Sequence, residues 1–128
     1  MSDSGEIISK HATASVPDTV TRLRAEIEAR GLKVFAVIDH SGEAHQQGLE
    51  LRDTKVVIFG SPSAGTPVME AAPLIALDLP LKVLVYDDQG STTLSYLAPE
   101  ALVKRYGLEP DRAAVFAGIN VITDAAAA

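Results

Sequence analysis

The chain contains no cysteine, no tryptophan and few aromatic residues of any kind. Without cysteine, disulfide bonds, thiol catalysis and cysteine-ligated zinc or iron–sulfur sites are excluded. Aromatic residues make up 5% of the chain, so valine, isoleucine, leucine and alanine must fill most of the core. The positions of the three phenylalanines and three tyrosines are therefore informative when the core and candidate sites are located.

Basic clusters and long apolar runs are also missing. The 11 basic residues are spread along a chain with 17 acidic ones and a net charge of −6, which argues against a nucleic-acid or anionic-membrane partner. The longest apolar stretch, residues 74–86, is interrupted by Asp78, Pro80 and Lys82 and is too short to span a bilayer. The start, Met1 to Glu6, is polar and acidic, unlike a secretory signal. We expect a soluble, cytoplasmic protein.

A length of 128 residues with 47% apolar and 22% charged residues is typical of one globular domain. We expect a single domain over residues 1–128. Ser15 and Pro17 predict the start of a helix that ends at Gly31, because Ser caps free amides and Gly adopts the left-handed C-cap. Its buried stripe is predicted to be Val16, Val20, Leu23 and Ile27.

The remaining pattern predicts strands at 7–14, 34–38, 56–59, 83–86 and 92–97, a hairpin turn at 87–90, and helices at 66–72, 99–106 and 111–123. This order, with at least one tight hairpin, indicates an α+β fold. The strands at 34–38, 56–59 and 83–86 are predicted to be central, because they are apolar at nearly every position. Tyr86 and Tyr96 are expected to flank each other across the hairpin.

Continuous apolar strands imply that both faces of the sheet's centre avoid water. The predicted helices suffice for one face, so the other needs part of the C-terminal helices, a second subunit or a ligand. A bare patch of a few hundred Å² would cost several kcal/mol at about 25 cal/mol per Å² and would favour association. We therefore predict a homodimer, an apolar pocket, or both.

Four ordered segments carry a family resemblance: 34–40, 48–52, 57–62 with 65–67, and 77–82. They resemble the DUF302 family, a bacterial family of unknown function, over a matched core of about residues 7–107; the C-terminal helix at about 110–124 lies beyond that match. The resemblance implies a domain like the TATA-binding protein, with a curved antiparallel sheet of about four to five strands, helices packed mainly on one face, and usually a dimer. It supplies no reaction, and it departs at Ser61, where the family pattern tends to have Asn.

The densest cluster of titratable groups is Asp39 and His40, followed by Glu43 and His45. Histidine beside a carboxylate is suited to acid–base catalysis, and His40 and His45 are candidate metal ligands. The alternative is that Asp39 caps the next turn and both histidines are solvated. Because a third ligand at metal-site spacing is lacking, we predict no metal and no other cofactor.

A glycine-rich loop, 60–66, follows one predicted strand and precedes a helix. It resembles a phosphate-binding loop but lacks the lysine after its second glycine, and Pro67 removes an amide. A structural turn with Thr66 as the helix cap is one interpretation. Weak ligand or anion binding through Gly60, Ser61, Gly65 and Thr66 is the other.

Asp78 and Lys82 interrupt the leucine-rich stretch. They either pair at the surface or place charge at the rim of a pocket. Three functions remain open: a homodimeric small-ligand-binding domain with its site near 60–66 and Asp39 and His40 at the rim; an enzyme using Asp39 and His40, with or without a metal; and a purely structural or partner-binding dimer.

Overall fold

A computed structural model describes residues 5–128. The five strands are β1 (Ile7–Ala12), β2 (Lys33–Asp39), β3 (Thr54–Gly60), β4 (Leu81–Asp88) and β5 (Ser91–Leu97). The α-helices are α1 (Val16–Ala29), α2 (His40–Gln46), α3 (Pro62–Ala71), α4 (Pro99–Arg105) and α5 (Gly118–Ala127). Two 3₁₀ helices join them, the first at Pro73–Asp78 and the second at Pro110–Phe116.

The strands form one antiparallel sheet in the order β1-β5-β4-β3-β2, which confirms the predicted α+β class and strand number. β2 lies at an edge, so the prediction that 34–38 is central was wrong. Its apolar run reflects two different environments, because Val34 and Val37 pack on the core whereas Phe35 and Ile38 are 44% and 38% exposed. Composition alone does not separate such an edge from a buried centre.

α1 and α5 cover one face of the sheet. The helix α1 begins as predicted, with the Ser15 hydroxyl accepting a hydrogen bond from the Asp18 amide at 3.2 Å, and its four predicted apolar residues are all buried. The first core cluster joins this stripe to inward-facing residues of the sheet and of α5, among them Val57, Phe59, Val83, Leu94 and Ile122.

A second, smaller core cluster is built by the helices that follow β3 and β5. It contains Val68 of α3, Ile75 of the first 3₁₀ helix, Leu102 and Val103 of α4, and Ala113 and Phe116 of the second 3₁₀ helix. The predicted helix at 111–123 is therefore two elements, which meet at Ala117. Leu81 of β4 packs against both clusters, so the two cores are neighbours.

Within residues 5–128, neither α1 nor α5 packs against the opposite face of the sheet. Its central row runs Ile38, Val56, Leu84, Ser95 and Ser9, by the strand register. A neighbouring row contains Ala36, Ile58 and Lys82, and Ile7 pairs with Leu97 on the far side. We call these residues the open face. Tyr86 pairs with Thr93 here, whereas Tyr96 is buried in the first core cluster, so the predicted contact between the two tyrosines was wrong.

Candidate functional site

Asp39 ends β2 and caps α2. Its carboxylate accepts hydrogen bonds from the Gly42 amide at 3.0 Å and the Ser41 hydroxyl at 2.8 Å, and it forms an ion pair with Lys55 at 3.0 Å. These contacts, led by the Gly42 amide, lower the pKa of Asp39 to about 2. Asp39 therefore stays ionised near neutral pH and serves as the helix cap.

The two candidate histidines of this segment, His40 and His45, are exposed. Within residues 5–128, no group of three or more His, Cys, Asp or Glu side chains is arranged to hold a metal ion. Register also separates this segment from the glycine-rich loop, since Asp39 pairs with Lys55 and Lys33 with Gly60. The expectation that Asp39 and His40 lie at the rim of a site near Gly60 was thus wrong, because the two ends of β2 face opposite ends of the sheet.

The close ion pair of Asp78 is with Arg105, and the charge of Lys82 is a lesser influence on the Asp78 carboxylate. The Asp78 carboxylate accepts hydrogen bonds from Tyr106 and, at 3.0 Å, from Arg105, and the Tyr106 contact is the leading cause of a lowered pKa for Asp78. Lys82 donates instead to the carbonyl oxygen of Pro80 at 3.2 Å. Asp78 thus fastens the first 3₁₀ helix to α4, and Lys82 lies on the open face.

A cavity of about 180 Å³ lies where the two core clusters meet. Phe59 and Ile119 reach it from the first cluster, and Phe116 reaches it from the second. Phe35 and Val115 also line it and are 44% and 39% exposed, so they mark its mouth. The cavity is apolar because the clusters contribute hydrocarbon side chains and the Met69 thioether at the junction.

Local geometry brings Phe35 to this mouth. The pairing of β2 with β3 shifts register between Val34 and Ala36, which leaves Phe35 as the extra residue of a β-bulge. A bulge bends the strand and redirects a side chain. Opposite the ring, Gly60 leaves space, since a Cβ there would lie 3.8 Å from Phe35 Cε2 and 3.7 Å from Pro80 Cβ.

Of the residues predicted to bind a ligand, Gly60, Ser61 and Gly65 line the cavity, whereas Thr66 does not. Asp78 and Lys82 line a separate, wider pocket of about 800 Å³ over the open face, as expected if they place charge at a pocket rim. The helix α3 begins at Pro62, earlier than predicted, with the Ser61 hydroxyl accepting from the Ala64 amide at 3.3 Å. Thr66 is therefore inside the helix and is not its cap; its hydroxyl donates to the Pro62 carbonyl at 2.6 Å. The serine at position 61 takes the capping role because it directly follows the last residue of β3.

The aromatic lining was not predicted from the sequence. Phe35, Phe59 and Phe116 are far apart in the chain, and they meet through the bulge in β2 and the packing of the two core clusters. Local sequence spacing carries no signal for such a convergence, because it depends on tertiary contacts.

Chemically, the cavity can bind but offers little for catalysis. Among its described lining residues, Ser61 has the only polar side chain and none is ionisable. At about 24 cal/mol per Å³, an enclosed void of about 180 Å³ would destabilise the fold by about 4 kcal/mol, an upper bound because the mouth is open. Filling it with an apolar molecule would recover part of that energy.

The fold has a close structural counterpart. A crystal structure of an uncharacterized conserved DUF302 protein from Bacillus stearothermophilus superposes with a TM-score of 0.81, covering 97% of each chain at 19% identity. At that identity the likeness establishes the shared fold.

Curated relatives carry the name fluoride-specific ion channel. The chain is 35% identical over 130 residues to FluC 1 of Brucella suis biovar 1 (strain 1330) and to FluC 2 of Brucella melitensis biotype 1 (strain ATCC 23456 / CCUG 17765 / NCTC 10094 / 16M), with 98% of this chain aligned in both. The alignments cover 51% and 48% of those proteins, so the chain spans about half the length of the curated relatives it matches. In the part of the chain that the structure describes, no helix is long and apolar enough to cross a membrane.

The family described as domain of unknown function DUF302 matches residues 8–126. This range includes all of α5 except its last residue, beyond the core to Gly107 that the sequence resemblance covered. Family match and fold agree, and the chain belongs to the DUF302 family.

Proposed function

We propose that this chain is a small-ligand-binding domain whose site is the cavity between its two core clusters. The observation that supports the proposal is an apolar space of about 180 Å³ with an open mouth, lined by side chains from β2, β3, α3 and α5. Apolar pockets with few polar groups are the usual form of small-molecule sites. The nearby Ser61 hydroxyl is the single polar side chain that a ligand would meet among the described lining residues.

A titration with small neutral apolar molecules tests this proposal. Amide NMR shifts of the whole chain should change first at Gly60, Gly65 and Gly118, which line the cavity. The matched control is Gly65→Leu, because a Cβ at this buried glycine meets only the flexible end of Met69 at 3.8 Å and a larger side chain would fill the space. Absence of any binding to the unmodified chain, or equal binding to the filled variant, contradicts the proposal.

The exposed histidines weaken the enzyme alternative. His40 faces solvent, and its neighbour Asp39 is already engaged by Ser41, Gly42 and Lys55. A catalytic pair needs a shared cleft with a further polar group in reach. The binding function fits the geometry better.

A homodimer through the open face forms the second part of the proposal. Ile38, Val56, Leu84, Leu97 and Ile7 lie on this face, with Lys82 as its charged member in the rows described above. A five-stranded face measures roughly 20 Å by 20 Å, or roughly 400 Å², from strand spacing and rise. Standard interfaces bury about 800 Å² per partner. We therefore propose a weak, concentration-dependent dimer.

The named relatives suggest a further role for the binding domain. We propose that the segment shared with the fluoride-specific channels is an accessory domain in those longer proteins, and that any fluoride transport belongs to their remaining half. The support is the alignment of 98% of this chain with 51% of the Brucella suis protein. Fluoride itself is a poor ligand for the cavity, because burying an anion among hydrocarbon side chains is costly. The cytoplasmic location expected from the sequence stays a prediction.

A further inference from the structure

All three phenylalanines of the chain line one cavity. They come from three separate elements: Phe35 from the bulge in β2, Phe59 from β3 and Phe116 from the second 3₁₀ helix. The three tyrosines lie elsewhere. A core filled mainly by aliphatic residues has thus placed every phenylalanine ring around this apolar cavity.

Glycines keep the wall between these rings open. Gly60, Gly65 and Gly118 all line the cavity, and a Cβ on Gly118 would meet nothing within 4 Å. The volume of about 180 Å³ suits one ring with a small substituent, since an engineered apolar cavity of about 150 Å³ in another protein binds benzene. The space is too small for a fatty acid or a dinucleotide.

The lining of the cavity and the charge at its mouth disfavour ionic ligands. None of the described lining residues is ionisable, and the Ser61 hydroxyl already accepts from the Ala64 amide. The ammonium of Lys33 lies 5.1 Å from the centroid of the Phe35 ring at the mouth, so a cationic ligand would be repelled there. An anion would find no cationic side chain among the described lining residues.

Resting on the proposed binding function, we propose that the cavity selects a neutral, planar, single-ring aromatic molecule over an aliphatic molecule of the same size. Ring edges and faces of the three phenylalanines offer offset and edge-to-face contacts to a planar ring, which an aliphatic ring cannot match. Met69, also in the lining, adds a thioether able to contact an aromatic edge.

Calorimetry and amide NMR on the whole chain, with toluene, methylcyclohexane and tetramethylammonium as probes, test this selectivity. We expect toluene to bind about tenfold more tightly than methylcyclohexane, as aromatic contacts of this kind provide. The variant Phe35→Leu should reduce that ratio at least threefold while retaining methylcyclohexane binding. The control Leu77→Ala alters a side chain that is 78% exposed and outside the cavity, and it should leave the ratio unchanged.

The outcomes separate the two proposals. Equal binding of toluene and methylcyclohexane overturns the aromatic selectivity but leaves the binding function standing. Tighter binding of tetramethylammonium than of toluene overturns the neutral class. Failure of all three to bind overturns both. Should Phe35→Leu fail to fold, Gly65→Leu supplies the test, since loss of toluene binding in that variant places the probe in the cavity.

Discussion

At the scale of single residues, ordinary capping chemistry accounts for two side chains that were candidates for catalysis or ligand binding. Asp39 and Ser61 each begin a helix by accepting an amide hydrogen bond three residues ahead. Capping was one of the interpretations of Asp39 drawn from the sequence, because Asp is a preferred cap residue. For α3 the interpretation as a structural turn placed the cap at Thr66, whereas the structure has it at Ser61.

Replacing Asp39 with asparagine should reveal its charge through pH-dependent stability. The folded-state pKa of about 2 lies below the ordinary 3.8, so ionised Asp39 stabilises the fold above about pH 4 and loses this effect as the pH falls toward 2. Urea midpoints of wild type and Asp39→Asn should differ most near about pH 6, and the difference should shrink below about pH 4 and vanish only below about pH 2.

Glu50→Gln is the control for Asp39→Asn, because Glu50 is exposed in the loop before β3. It should leave the midpoint and its pH dependence nearly unchanged. A constant difference between wild type and Asp39→Asn across the pH range would show that the carboxylate charge is irrelevant and that only the side-chain shape caps α2.

At the scale of elements, the sequence predicted most helices and strands but not their neighbours. The stripe of α1 and the hairpin between β4 and β5 follow from local spacing, and both are present. The edge position of β2 and the break between the second 3₁₀ helix and α5 depend on contacts between distant segments. Three of the four residues of the predicted loop site, Gly60, Ser61 and Gly65, line the cavity. They are neighbours in the sequence, whereas the phenylalanines of the lining are brought there by tertiary structure.

Helix α3 contains an internal proline, and its removal should stabilise the chain. Pro67 lacks the amide that would donate to the Ser63 carbonyl, and a proline inside a helix is unfavourable by about 3 kcal/mol. Pro67→Ala should raise the free energy of unfolding by about 1–2 kcal/mol, after allowance for the greater freedom of the unfolded chain.

The matched control is Pro62→Ala at the first position of the same helix, where proline is well tolerated. Thermal unfolding of both variants should show a higher midpoint for Pro67→Ala alone. A lower midpoint for Pro67→Ala would mean that the bend at this proline is needed for α3 to pack around Val68.

At the scale of the whole molecule, a sheet with one incompletely covered face predicts that two copies of the chain associate. Sedimentation across a dilution series should show a dimer of twice the 13.5 kDa chain at high concentration and monomer on dilution. Leu84→Glu places a charge in the central row of the open face and should abolish the dimer.

Val121→Glu is the control for Leu84→Glu, since Val121 is 55% exposed on α5, away from the open face. It should sediment as the wild type does. A wild type that remains monomeric at every concentration, or a dimer lost equally in both variants, contradicts association through the open face.

The accessory-domain proposal predicts separate roles for fluoride and for the cavity ligand. Expression of this chain in cells lacking fluoride export should leave their fluoride sensitivity unchanged, and sodium fluoride should cause no amide shifts at Gly60 or Gly65. A Brucella relative of full length is the positive control for rescue. Rescue by this chain alone would contradict the proposal.

The bulge in β2 carries one more consequence. An extra residue at Phe35 interrupts the regular spacing of amides and carbonyls along that border of the sheet. A regular border is a template on which further chains can add strand by strand into cross-β fibrils. The bulge that turns the Phe35 ring toward the cavity therefore also makes this edge strand a poor template for amyloid growth.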